Sequence, residues 1–173
     1  MQMSDQKQIA ADPATVYAAL LNPEVLMACV PGAKEVTGSP DDGFEAIVTQ
    51  KVGPVKATFK GQVTLSDMVE NEKMTIAGEG KGGAAGFAKG GAVVTLSESE
   101  VGTLLSYDVE ARVGGKLAQL GSRLIDGFAK KMADKFFTNL QEVLSPVEDV
   151  AENDTAPDAG KKNGWLKKVT GRT

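Results

Sequence analysis

Apolar positions change their period along this chain, and each change marks a different kind of element. Residues 6–10 read as a short first strand. Asp12-Pro13 then sets a capping side chain directly before a proline, two helix-start signals in register. Val16, Tyr17, Ala19, Leu20 and Leu21 add a brief helical stripe. Asn22-Pro23 repeats the start, Val25, Leu26 and Cys29 follow, and Pro31-Gly32 stops a second short helix. From residue 34 to residue 113 the period falls to two, the pattern of half-buried antiparallel strands. Phe44, Ala46 and Val48 alternate with Glu45, Ile47 and Thr49. The clearest run sets Val55, Ala57, Phe59, Gly61, Val63 and Leu65 against Lys56, Thr58, Lys60, Gln62, Thr64 and Ser66. Turns at Glu70-Asn71-Glu72 and Glu100-Val101-Gly102 separate further runs through Met74 and Ile76, through Ala92, Val94 and Leu96, and through Leu105, Tyr107, Val109, Ala111 and Val113. Short turns between successive strands predict an antiparallel meander.

Gly114-Gly115 ends the sheet, and the spacing predicts one helix over residues 116–144, roughly 40 Å long at 1.5 Å per residue. Leu117, Leu120, Leu124, Phe128, Met132, Phe136 and Leu140 step along one face, with Arg123, Lys130, Asp134 and Gln141 off it. Ser145-Pro146 closes the helix. The expected division is a domain over residues 1–146, an acidic disordered linker over 147–160 and a basic tail over 161–173. The linker holds five acids and no base, the tail five bases and no acid. Its sequence carries Lys161, Lys162, Trp165, Leu166, Lys167, Lys168, Val169 and Arg172, and Trp165 is the chain's only tryptophan. Tryptophan favours the headgroup layer, and each nearby cation adds about 1 kcal/mol on an anionic leaflet. The tail is therefore expected to contact an anionic membrane surface reversibly, or else to fold back on the acidic linker.

Composition narrows the chemistry. The 173 residues suit one core built without staples. They include no His, which removes the commonest general base and nitrogen ligand, and one Cys, which excludes an internal disulfide and a Cys-held zinc or iron–sulfur site. A net charge of −4 argues against general nucleic-acid binding by the body of the protein. No segment has the ~20 apolar residues of a bilayer span, and residues 1–7 lack a signal-like apolar run. A cytoplasmic protein, peripheral at the inner face of the cytoplasmic membrane, is the expectation.

A strand, two helices, a run of strands and a long C-terminal helix form an α+β arrangement. It is similar to the START-like helix grip, in which a curved antiparallel sheet wraps around that helix. Asn22-Pro-Glu-Val-Leu-Met-Ala-Cys-Val-Pro-Gly32 and Gly114-Gly-Lys-Leu-Ala-Gln-Leu-Gly-Ser-Arg-Leu-Ile-Asp126, followed by Phe136-Phe137, resemble signatures of the carbon monoxide dehydrogenase G-subunit family (CoxG). The Gly-rich stretch 78–91 and Gly102-Thr103 are similar too. The resemblance covers roughly residues 3–145. It implies a helper of molybdenum-containing carbon monoxide dehydrogenases or related hydroxylases, thought to attach the enzyme to the membrane. No motif in the chain would hold the enzyme's molybdenum cofactor.

Gly78-Glu-Gly-Lys-Gly-Gly83 matches a dinucleotide-loop spacing, but the stretch after it stays rich in Gly and returns to strand rather than opening a helix. Its better reading is steric. Gly82, Gly83, Gly86, Gly90, Gly91, Ala84, Ala85 and Ala88 leave little side chain to fill an interior, with Phe87 the exception. Either a cavity or a kinked sheet over a solid core results. The candidate cavity residues from the sheet are Phe44, Val48, Phe59, Val63, Met74, Ile76, Gly78, Gly80, Phe87, Tyr107 and Val109. The helix would add Leu120, Leu124, Phe128 and Met132, as wall or as plain core. Tyr107 and Cys29 read as core, and Asp108 and Glu110 as a solvated face.

The expected function is a non-enzymatic adaptor whose pocket holds a quinone or other isoprenoid, with no covalently bound cofactor. The alternatives are an enzyme of the same fold, a cyclase or hydrolase using an inward acid or Tyr107, and an assembly chaperone with no ligand.

Overall fold

The computed structural model describes residues 1–145, so the linker and the basic tail lie outside the described residues. Strand β1 (Gln2–Ile9) leads into helices α1 (Pro13–Leu20) and α2 (Pro23–Cys29). Both helices start as the sequence predicts. The Asp12 carboxylate accepts from the Thr15 amide at 3.3 Å and the Asn22 side chain from the Glu24 amide at 2.8 Å, each with a proline in the first turn. Six strands follow: β2 (Ala33–Ser39), β3 (Gly43–Val52), β4 (Val55–Val69), β5 (Lys73–Lys81), β6 (Phe87–Ser99) and β7 (Gly102–Gly114). Helix α3 (Ser122–Leu144) ends the described chain.

All seven strands form one antiparallel sheet in the order β1-β7-β6-β5-β4-β3-β2. The meander is as expected, with β1 returning beside β7 to complete one edge. Strand β1 is longer than its sequence signal, because only its last residues carry apolar character while its first half gains order from pairing with β7, Gln2 to Glu110 and Met3 to Val109.

The helix prediction needs a correction. Residues 115–120 form a 3-10 turn, and Gly121, at φ 89°, breaks the chain before α3 begins. That left-handed backbone suits glycine and stops a continuous helix. The break resets the helical phase. The face of α3 that meets the sheet runs through Ile125, Phe128, Ala129, Met132, Ala133, Phe136, Phe137 and Leu140. Leu124 falls off it, 39 % exposed, beside the β3–β4 turn at Gly53.

Two polar residues placed off the apolar face instead tie α3 to β1. Lys7 Nζ donates to Asp134 Oδ1 at 2.8 Å, and Gln141 Oε1 accepts from the Ala10 amide at 2.8 Å. The Lys7 hydrogen bond holds the Asp134 carboxyl below the ordinary carboxylate range and raises the Lys7 ammonium. The main core lies under α1 and α2 and gathers Ile9, Val16, Cys29, Met74, Leu105 and Leu140. A smaller core of Val52, Leu117 and Ile125 closes the other end.

Candidate functional site: an apolar cavity in two chambers

Alternation in each strand sends one set of side chains toward α3, and on that concave face a band of small residues crosses the sheet. Ala46 pairs with Gly61, Gly61 with Gly80, and Gly80 with Ala88. A Cβ added at Gly80 would meet nothing within 4 Å, and one at Gly61 would make only ordinary contacts, the nearest at 3.7 Å. Space therefore remains between sheet and helix.

That space is two chambers. Chamber one, about 310 Å³, lies toward α1 and α2, with walls from Leu20, Leu26, Phe44, Met74, Tyr107 and Phe137 among others. Chamber two, about 370 Å³, lies toward the start of α3, among Val52, Phe59, Gly80, Ala88, Leu117 and Ile125. Met3 and Val109 line both, so they form the waist where the chambers meet.

The polar side chains among the lining residues are Tyr107 in chamber one and Gln50 in chamber two; the linings contain no charged residue. The Gln50 amide donates to the Pro31 carbonyl, so it is already partnered. The Tyr107 ring stacks on Phe137 with centroids 5.4 Å apart. Burial foremost, then the Asp5 carboxylate, pushes its hydroxyl above the ordinary phenol range, so it remains a neutral hydrogen-bonding group at physiological pH. Such a surface can solvate an apolar molecule with at most a few polar atoms. It offers no lining carboxylate for acid–base work, and among the described residues no group of three or more His, Cys, Asp or Glu is set to hold a metal.

The structure sorts the candidate residues. Phe44, Val63, Met74, Ile76 and Tyr107 line chamber one; Val48, Phe59, Gly80, Phe128 and Met132 line chamber two; Val109 lines both. Four do not line either. Gly78 lies on β5 with Val63 packed 3.5 Å from where its Cβ would be. Phe87 points outward, 42 % exposed, its ring covering Gly114. Leu120 packs against the smaller core, and Leu124 turns away because of the break at Gly121. The Gly-rich stretch is also not all sheet interior: Gly83–Ala85 is a 3-10 turn at the sheet's end, which gives no helix for a dinucleotide loop.

Sequence reasoning missed Met1 and Met3, because β1 carries no alternating apolar signal before residue 6, and missed Ile125, Ala129, Ala133 and Phe137. The last four step by four residues from Ile125, a signal visible once the helix is started at Ser122.

Cys29 is core, as expected. It is wholly buried, and desolvation raises its thiol to about 11. At mildly alkaline pH the native protein should therefore give no reaction with an aromatic disulfide reagent, and one equivalent after denaturation. A fast reaction before unfolding would contradict this packing.

No helix of the described residues is long and apolar enough to cross a membrane. Among solved structures, a conserved protein from Geobacillus kaustophilus is 25 % identical with a TM-score of 0.77, the alignment covering 83 % of this chain and 94 % of that one. A START superfamily protein from Mycobacterium smegmatis is 16 % identical with a TM-score of 0.63, over 87 % of this chain and 99 % of that one. A protein from Chromobacterium violaceum is 16 % identical with a TM-score of 0.62, over 84 % and 99 %. These likenesses agree with the α+β helix-grip architecture. No curated protein matches the chain. The signatures at 22–32 and 114–126 both fall within residues 6–145, the span matched by the carbon monoxide dehydrogenase G-subunit family (CoxG), and the chain belongs to that family.

Proposed function

We propose that this chain is a non-enzymatic accessory protein of a molybdenum-containing carbon monoxide dehydrogenase or a related hydroxylase. It brings that enzyme to the inner face of the cytoplasmic membrane and holds an apolar ligand, a quinone or another isoprenoid, between its sheet and α3. The observation that carries the ligand is the uncharged, two-chambered cavity. Family membership supports the partner. The chemistry of the partner gives the ligand a purpose, since electrons taken from its substrate have to reach a membrane acceptor. An apolar carrier would shield such an acceptor from water. The membrane contact is assigned to the basic segment around Trp165.

Organic extraction of the purified full chain from a quinone-rich host, followed by mass spectrometry, tests the carrier. An isoprenoid quinone in near-stoichiometric amount is expected, and an extract without any isoprenoid would refute it. Fractionation of cells expressing the partner dehydrogenase tests recruitment. The enzyme should sediment with membranes when the full chain is present, and should remain soluble when residues 160–173 are deleted.

A further inference from the structure

The folded domain has a basic end and an acidic end. At one end of the meander the turns carry Asp41, Asp42, Glu70, Glu72, Glu98 and Glu100, all exposed. At the other end the outward positions carry cations. Alternation explains their placement. Each stands next to a residue that lines chamber two: Lys51 beside Val52, Lys60 beside Phe59, Lys81 beside Gly80, Lys89 beside Ala88. The lining residue points in and its neighbour points out. All four lysines are exposed, and among the described residues none is in an ion pair. Glu79, opposite Lys89 in register, is an acid within the band.

The arrangement is costly to the fold. Lys51 stands directly opposite Lys56, Lys60 opposite Lys81, and Lys89 opposite Arg112. Like charges facing across a strand pair destabilise a sheet. Repeated breaches of a local rule in one place point to a function that compensates for them. Two large apolar side chains sit among these charges. Phe87, in register with Lys81, is 42 % exposed, and Leu124, at the β3–β4 turn, is 39 % exposed.

We propose that this basic end of the folded domain docks onto an anionic lipid membrane, with chamber two facing the bilayer and the acidic end held away from it. Cations spread over several strands, with apolar anchors between them, match a headgroup layer that is anionic outside and apolar beneath. The choice of lipid over an acidic protein rests on the membrane reading above. The inference goes beyond that reading by assigning a contact to the folded domain as well as to residues 161–173, and by fixing which end of the cavity exchanges with the bilayer. Two modest contacts together hold a protein at a membrane where one alone binds marginally.

The test uses the full chain and vesicles of phosphatidylcholine, with or without phosphatidylglycerol, in a flotation assay at low and high salt. The wild type should float with the anionic vesicles at low salt and be released by high salt. The Lys81→Glu/Lys89→Glu variant should bind at least ~25-fold more weakly, at about fivefold per positive charge removed. Lys131→Glu/Lys135→Glu, the same change in net charge on exposed positions of α3, should stay near wild type. The first variant places a carboxylate opposite Lys60, so its thermal midpoint should be unchanged or higher, which separates lost binding from lost fold. Equal effects of the two double variants would overturn the proposal. So would a loss of dehydrogenase capture with vesicle binding intact, because the face would then read an acidic protein. If Trp165→Ala with Lys167→Glu weakens binding and the basic-end variant does not, the domain contact is wrong and the tail contact stands. The opposite result removes the tail contact and keeps this one. No vesicle binding by the wild type would overturn both.

Discussion

Replacing Val109 with tryptophan is expected to weaken binding of an apolar ligand by about tenfold or more while the domain stays folded. Val109 lies in the middle of a row that runs from Met3 through Val109 to Ala92 and Ile76. It is a lining residue of both chambers. An indole there would occupy the waist and part of the space on each side. Overpacking a filled core costs about 1–3 kcal/mol, but here the new ring enters open volume, so that cost falls on the ligand rather than on the fold. The measurement is a titration with decylubiquinone, and in parallel with anilinonaphthalene sulfonate, alongside a thermal melt. The new indole reports on itself, because the chain's own tryptophan is Trp165 in the basic tail. Its emission should be blue-shifted, as in an apolar site. Unchanged quinone affinity with a blue-shifted indole would mean that ligand does not pass the waist.

Leu140→Ala should act in the opposite way, with a loss of about 2–5 kcal/mol of stability and little change in ligand affinity. Leu140 is fully buried where α3 meets β1 and the two short helices, with Ile9, Val16 and Leu105 in the same cluster, and it lines neither chamber. Its neighbour Asn139 donates to the Cys29 carbonyl at 2.9 Å, pinning α3 to the end of α2. The surroundings are thus held and can collapse only in part around the missing isobutyl group. At about 2–4 °C per kcal/mol for a domain of this size, the thermal midpoint should fall by roughly 10 °C. Urea unfolding would check the same quantity. A fall of only a degree or two would show that α3 is held mainly by its other contacts.

The elements of this fold are legible in the sequence because local signals and tertiary needs agree. Asp12-Pro13 and Asn22-Pro23 start helices whether or not the rest of the chain is considered, and the alternation through Val55–Leu65 holds because one face of β4 is covered and the other is wet. Two differences come from features with no local apolar signal. The first half of β1 is polar and owes its order to β7. The helix phase does not carry across Gly121, where apolar spacing continues but the backbone does not. That one break moves Leu120 and Leu124 from the wall and brings in Ile125, Ala129 and Ala133. The cavity itself follows from the abundance of small residues. Which of them matter follows only from register, since Gly80 and Ala88 face the space whereas the 3-10 turn at Gly83–Ala85 lies at the sheet's end.

The small-residue band Ala46, Gly61, Gly80 and Ala88 also bears on how such a protein can change over generations. A cavity walled by specific polar contacts loses its ligand at one stroke when a contact is altered. A cavity made by missing side chains can be retuned in single methyl steps. Alanine at Gly80 would enter empty space and trim chamber two by about one methyl group without a clash. Valine at Ala88 would trim it again. Each step keeps the sheet's hydrogen bonds and the alternation that folds it. Ligand size can thus drift gradually across relatives whose fold and partner stay the same.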